Sequence, residues 1–145
     1  MSYPETTAYN TSISSYWSQQ AESLSPSCIF SPTSAQDVSE AVAILSRLSV
    51  LRPSNSVSCQ FAIRSGGHTP WAGASNINAS VTFDLSGLNQ VTVSTDQSYT
   101  SVGPGNRWID VYLKLDALGL SMAGGRASTV GVGGLVLGGK CILNF

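Results

Sequence analysis

Apolar residues recur at Val38, Ala41, Val42, Leu45 and Leu48, the 3.6-residue spacing of one helix face. Upstream, Pro32-Thr33-Ser34 brings capping hydroxyls, with Gln36 and Asp37 placed to complete a capping box. Short apolar runs flank this helix, Cys28 to Phe30 before it and Cys59 to Arg64 after the Pro53-Ser54-Asn55-Ser56 turn. That order, strand then helix then strand, predicts a right-handed parallel crossover. Val81, Phe83 and Leu85 alternate and predict a third strand. Val91 with Val93, then Tyr99 to Val102 after a polar turn, predict an antiparallel hairpin. A second helix begins after Gly105-Asn106, with Asn106 as its cap. Trp108, Val111, Tyr112, Leu115 and Leu118 form its apolar face, and Gly119 stops it. From Gly124 to Gly139 the chain is dense in glycine.

Residues 1–27 contrast with this patterning. They are polar and rich in Ser and Thr, with Tyr16 and Trp17 as main anchors, and read as an irregular N-terminal arm lying on the domain. The ordered domain is expected over residues 28–139.

The chain has 145 residues, 42% of them apolar and 10% charged, with a formal net charge of −1. That suits one modest core and offers no basic patch for nucleic acid or anionic membrane. The longest apolar stretch, Val130 to Leu137, is too short to span a bilayer and is broken by glycine. The N-terminus lacks the basic and apolar parts of a secretory signal, although Asn10-Thr11-Ser12 and Asn78-Ala79-Ser80 are glycosylation sequons. Three cysteines leave one unpaired in any disulfide scheme. Cys28 and Cys59 form a bridge if their strands lie side by side, and are two buried thiols otherwise. No Cys or His pair has metal-ligand spacing.

The only histidine, His68, follows Arg64-Ser65-Gly66-Gly67 at the carboxyl end of a strand, where α/β units place ligands. Glycines there let successive N–H groups form a concavity for phosphate oxygens, with Arg64 adding charge nearby; the same residues also fit an ordinary glycine turn. Other signatures fail. Gly134 to Lys140 approximates a P-loop, but Cys141 stands where magnesium needs a hydroxyl. The glycines at 103–105 and 131–133 do not continue as a dinucleotide fingerprint, and no nucleophile elbow is present. Asp84 reads as a turn and cap residue rather than a catalytic acid.

Taken together, RSGGHTPWAGAS, VTFDLSGLNQV, VGPGNRWIDVYLKLDALGL and GGRASTVGVGGLVLGG closely resemble the FAD-binding domain of flavin oxidases related to berberine bridge enzyme, of the vanillyl-alcohol-oxidase type, with fungal members the most similar. The resemblance implies an α+β fold of two subdomains, a small parallel βαβ sheet beside an antiparallel sheet, with FAD between them. It implies a pyrophosphate loop at Arg64, Ser65, Gly66 and Gly67, and a covalent flavin link through His68. It also implies a second flavin-contacting turn at Gly131, Val132, Gly133 and Gly134, adjoined by Gly125, Ser128, Thr129 and Val130. Ala127 stands where many members carry a second attachment cysteine, so a single link is expected.

Residues 140–145, Lys140 to Phe145, depart from the family pattern and read as an aberrant tail. The antiparallel subdomain is then C-terminally incomplete, and the substrate domain and catalytic base lie outside this chain. The resemblance therefore implies the FAD-binding segment of an oxidoreductase acting on an alcohol, sugar or secondary metabolite with oxygen as acceptor. The alternatives are an inactive remnant of that domain and a non-redox nucleotide- or phosphate-binding module. The 145-residue polypeptide by itself is expected to bind FAD weakly and to catalyse no oxidation. The family is typically secreted.

Overall fold

The computed structural model describes residues 1–51 and 59–139; the Pro53–Ser56 turn and the 140–145 tail lie outside the described residues. The element order is α1 (Thr7–Ser14), α2 (Gln19–Glu22), β1 (Cys28–Phe30), α3 (Ala35–Leu51), β2 (Phe61–Arg64), β3 (Val81–Asp84), β4 (Val91–Val93), β5 (Thr100–Val102), α4 (Trp108–Asp116) and α5 (Val132–Leu137). A single 3₁₀ turn, Leu85–Gly87, follows β3. The fold is the expected α+β pairing of a parallel sheet, ordered β1-β3-β2, with an antiparallel β4-β5 hairpin.

β3 lies between β1 and β2 and is parallel to both, with Val81 in register with Cys28 on one side and Phe61 on the other. The crossover from β1 to β2 therefore skips a strand. This corrects the side-by-side placement on which a Cys28–Cys59 bridge depended. Two strand spacings are about 9.6 Å, beyond the ~7 Å Cα separation a disulfide tolerates, and both thiols are free. Burial pushes the Cys28 thiol pKa up.

As the central strand, β3 is covered on both faces, so Thr82 is as buried as Phe83. Phe83 anchors the first core, meeting Phe30 edge-on at 5.3 Å and Phe61 at 5.1 Å between ring centroids. Thr82 Oγ1 donates to Asn76 Oδ1 (2.9 Å), and Asn76 Nδ2 donates to the carbonyls of Ala21 and Leu24. One buried amide thus ties the end of α2 to the middle of the sheet.

The N-terminal segment is not irregular. Thr6 caps α1 and Ser18 caps α2 through their side chains, while Ser2 exchanges backbone hydrogen bonds with Ile29 and covers the outer edge of β1. The sequence TAYNTSIS gives little warning of a helix, because its β-branched and hydroxyl residues are mediocre helix formers.

In α3 the expected capping box forms with Asp37 as its acidic member. Ser34 Oγ accepts the Asp37 N–H (3.1 Å) and Asp37 Oδ2 accepts that of Ser34 (3.0 Å). Val38, Ala41, Val42 and Leu45 are half-buried, whereas Leu48 is exposed.

A second core forms where Trp108, Val111 and Leu115 of α4 meet Val132 of α5, against β4 and β5. Asn106 is not the α4 cap. Arg107 occupies that position, its N–H donating to Asp110 (3.0 Å), while buried Asn106 donates to the carbonyls of Gln90 and Gly103. At the other end Gly119, at φ +68°, closes the helix with Leu120 N–H to Leu115 O and Gly119 N–H to Asp116 O, the paired bonds of a Schellman motif.

Phe83→Ala should cost about 3–5 kcal/mol of stability, and Ile63→Ala, on the exposed side of β2, less than about 1 kcal/mol. Denaturant unfolding of the two variants beside the parent chain measures the contrast.

Candidate functional site

Arg64 ends β2 and is buried, 4% exposed. A buried guanidinium must be paired and hydrogen-bonded, and the end of α1 does this. Arg64 Nη1 donates to Ser12 O (2.6 Å) and Ser12 Oγ (3.0 Å), and Nη2 to Ser15 Oγ (2.7 Å) and Ser15 O (3.3 Å). The two carbonyls lie at the C-terminal end of a helix, the negative end of its dipole, and Ser12 O also accepts the Ser15 N–H and hydroxyl. Asp84 Oδ2, at the end of β3, lies 3.6 Å from Nη1 and accepts the Ser12 hydroxyl at 2.6 Å. Its Oδ1 caps the 3₁₀ turn through the Ser86 N–H, so the cap role expected of Asp84 is joined by a buried ion pair.

The guanidinium also stacks over the Tyr16 ring, 4.0 Å from its centroid. The Tyr16 hydroxyl donates to Ser75 O (2.7 Å). Burial, offset in part by the nearby Arg64 charge, pushes its pKa up to about 12. Arg64 therefore faces inward, and its charge serves the scaffold under the glycine loop.

The next residues build the loop itself. Ser65 Oγ donates to Pro104 O (2.5 Å) and accepts the Gly133 N–H (3.2 Å), joining three glycine-containing turns at one hydroxyl. Gly66 presses backbone to backbone on Gly131, where a Cβ would sit 2.5 Å from the Gly131 Cα. Any side chain at either position would part the turns. Among the described residues no acceptor takes the N–H of Gly66, Gly67 or His68, and Gly66 and Gly67 are buried residues. Unpaired amides in such a place suit an anionic oxygen ligand.

His68 follows, half-buried, with its imidazole stacked on the Trp17 indole at 4.7 Å and 18°. A cleft of about 580 Å³ opens at the same carboxyl end of the sheet, bordered by Ser12, Ser15, Arg64, Ser65, Asp84 and Arg107 among others. This is the crevice position expected of a ligand site.

The other predicted residues divide between contact and support. Gly131 and Gly133 reach the loop. Val132 points into the second core and its N–H donates to Asn106 O. The carbonyls of Ser128 and Val130 accept the first N–H groups of α4. Gly125 lies against the Trp108 ring, its carbonyl accepting the Tyr112 hydroxyl at 2.8 Å. Thr129 and Gly134 are exposed. Sequence reasoning missed Ser12, Ser15, Tyr16 and Trp17 as parts of the site. The available signal was two bulky aromatics in an otherwise small, polar arm. Among the described residues no three His, Cys, Asp or Glu side chains gather as a metal site, and no helix is long and apolar enough to cross a membrane.

Comparison with known proteins identifies the family. Residues 26–142 match the FAD binding domain family. The FAD-dependent monooxygenase sdcF of Emericella nidulans is 46% identical over 140 residues, covering 97% of this chain and 28% of that protein. The structure of 6-hydroxy-D-nicotine oxidase from Arthrobacter nicotinovorans superposes at TM-score 0.74 with 24% identity, over 90% of this chain and 26% of the oxidase. That of GilR, an oxidoreductase of gilvocarcin biosynthesis, superposes at 0.70 with 26% identity, over 95% of this chain and 26% of GilR. The chain thus spans about a quarter of the length of the proteins it matches.

The Tyr16 hydroxyl makes alkaline stability a reporter of this scaffold. Its pKa is 10.0 ordinarily and about 12 in the fold, so its contribution is intact below pH ~10 and is lost as pH rises towards ~12, by up to ~3 kcal/mol. Tyr16→Phe should flatten that part of the stability–pH curve, measured by denaturant unfolding at a series of pH values.

Proposed function

Because this chain belongs to the FAD binding domain family, we propose that it is the FAD-binding segment of an oxidoreductase, with the loop Ser65–His68 as its pyrophosphate cradle. The observation that carries the reading is the row of unpaired N–H groups at Gly66, Gly67 and His68, at the carboxyl end of a parallel strand. The residues present fit the cofactor. The loop and the turn at Gly131 approach so closely that no Cβ fits between them, and the free amides are the donors that pyrophosphate oxygens need.

In this reading each residue has a defined task. Ser65 holds the three turns in register, the amides of residues 66–68 bind the pyrophosphate, and His68 presents its imidazole to the flavin ring. Bound FAD supplies the redox chemistry, taking an electron pair from a small-molecule substrate. With FAD bound, a ring nitrogen of His68 would be the point of a single covalent attachment to the methyl carbon of the flavin ring; the two hydrogens and the electron pair released would pass to the ring system and from it to dioxygen, as hydrogen peroxide. Ala127 cannot provide a second attachment.

The substrate class proposed is an alcohol, sugar or secondary metabolite, with oxygen as acceptor. Its support is the activity of similar proteins, the fungal FAD-dependent monooxygenase sdcF and the oxidoreductase GilR of gilvocarcin biosynthesis. The reading extends to an exported protein, supported by the exposure of Asn10 and Asn78 at the two sequons.

Titrating the chain with FAD, followed by flavin fluorescence, should show binding that Gly66→Val weakens about tenfold or more. His68→Ala should keep the cofactor but release all of it on acid denaturation. A parent chain with a folded circular dichroism spectrum and no affinity for FAD would overturn the reading.

A further inference from the structure

Trp17 is 60% exposed, an unusual position for an indole unless its ring has a use. One face lies almost parallel on the His68 imidazole. Its backbone is fixed independently of that ring. The Trp17 N–H donates to Gly67 O (3.2 Å), and on either side the Tyr16 hydroxyl donates to Ser75 O and the Ser18 hydroxyl to Thr69 O (3.2 Å). Residues 16–18 form a strap along the loop that carries the histidine, with the indole laid over it.

Among the described residues no hydrogen bond holds either imidazole nitrogen of His68. The torsion that turns a histidine ring is intrinsically broad, so the indole is the contact that sets the ring plane. A stacked pair also leaves the edge of the imidazole, where both nitrogens sit, free for a ligand.

We propose that Trp17 is the positioning residue for His68, fixing the plane of the imidazole so that its nitrogen-bearing edge would be available to the flavin methyl carbon. This rests on the reading of His68 as the attachment residue. Trp17 itself forms no bond in that step; it restricts the ring to the reactive orientation, and a misplacement of about 1 Å at such a centre costs roughly 10²-fold in rate.

The test compares the parent chain with Trp17→Ala and Trp17→Phe after incubation with excess FAD. Total bound flavin is read by absorbance, and covalent flavin by in-gel fluorescence after acid denaturation. Trp17→Ala should slow covalent attachment by about 10²-fold and leave total bound flavin nearly unchanged, because the strap keeps its Trp17 backbone bond and its two hydroxyl anchors, Tyr16 and Ser18. Trp17→Phe should restore most of the attachment.

Attachment in Trp17→Ala at the parental rate, or a parallel loss of bound and covalent flavin, would overturn the proposal. If the parent binds flavin without a covalent link, the attachment reading itself fails. The imidazole signals of the chain's sole histidine then decide the positioning claim by NMR. Displacement by the indole ring current in the parent and Trp17→Phe, lost in Trp17→Ala, supports positioning; identical signals in all three overturn it.

Discussion

The buried Arg64 guanidinium is the interaction on which the site depends. Desolvating a cation is tolerable only where most of its donors are matched and an opposite charge is close; here both Nη groups are bonded, and Nε is buried without a partner. Ser12 and Ser15 supply four oxygens, Asp84 the counter-charge and Tyr16 an aromatic face. These partners come from α1, the end of β3 and the strap before α2. Pairing the two Nη groups of one side chain therefore fixes the N-terminal segment against the sheet. Tyr16 and Trp17 then lie beside the loop that follows Arg64, so scaffold and ligand loop share a single anchor.

A second constraint joins the two cores. Gly66 and Gly131 touch backbone to backbone, and Ser65 bridges Pro104 and Gly133. The parallel sheet ends at this junction and the α4–α5 core begins there, so the cradle is formed by the meeting of the two units. The glycines are required because any side chain would separate the surfaces.

Much of this was legible in the sequence where pattern and local chemistry agree. The α3 periodicity with its capping box, the β4-β5 hairpin and the Gly119 stop all rest on contacts within a few residues. Strand order was not legible, because the choice between β2 and β3 as the neighbour of β1 depends on packing across the whole sheet. The same gap left a Cys28–Cys59 bridge open as an alternative to two free thiols and assigned Asn106 to a cap, when it instead ties Gln90 to Gly103. At the site, the glycines and His68 stood out by composition and resemblance. Arg64 was recognised as a site residue, but its scaffold partners were not, since nothing local shows that Ser12 and Ser15 lie about fifty residues upstream. Trp17 was hidden for the same reason, its contact with His68 being set by the fold of an arm with weak helical propensity.

The most direct test of the account is the response of the backbone amides to FAD, followed by ¹⁵N-resolved NMR. The account predicts that the signals of Gly66, Gly67 and His68 move most on FAD addition and become protected from hydrogen exchange, and that ADP, which shares the pyrophosphate, reproduces the change. FAD binding that leaves those three amides unmoved while others shift would contradict it.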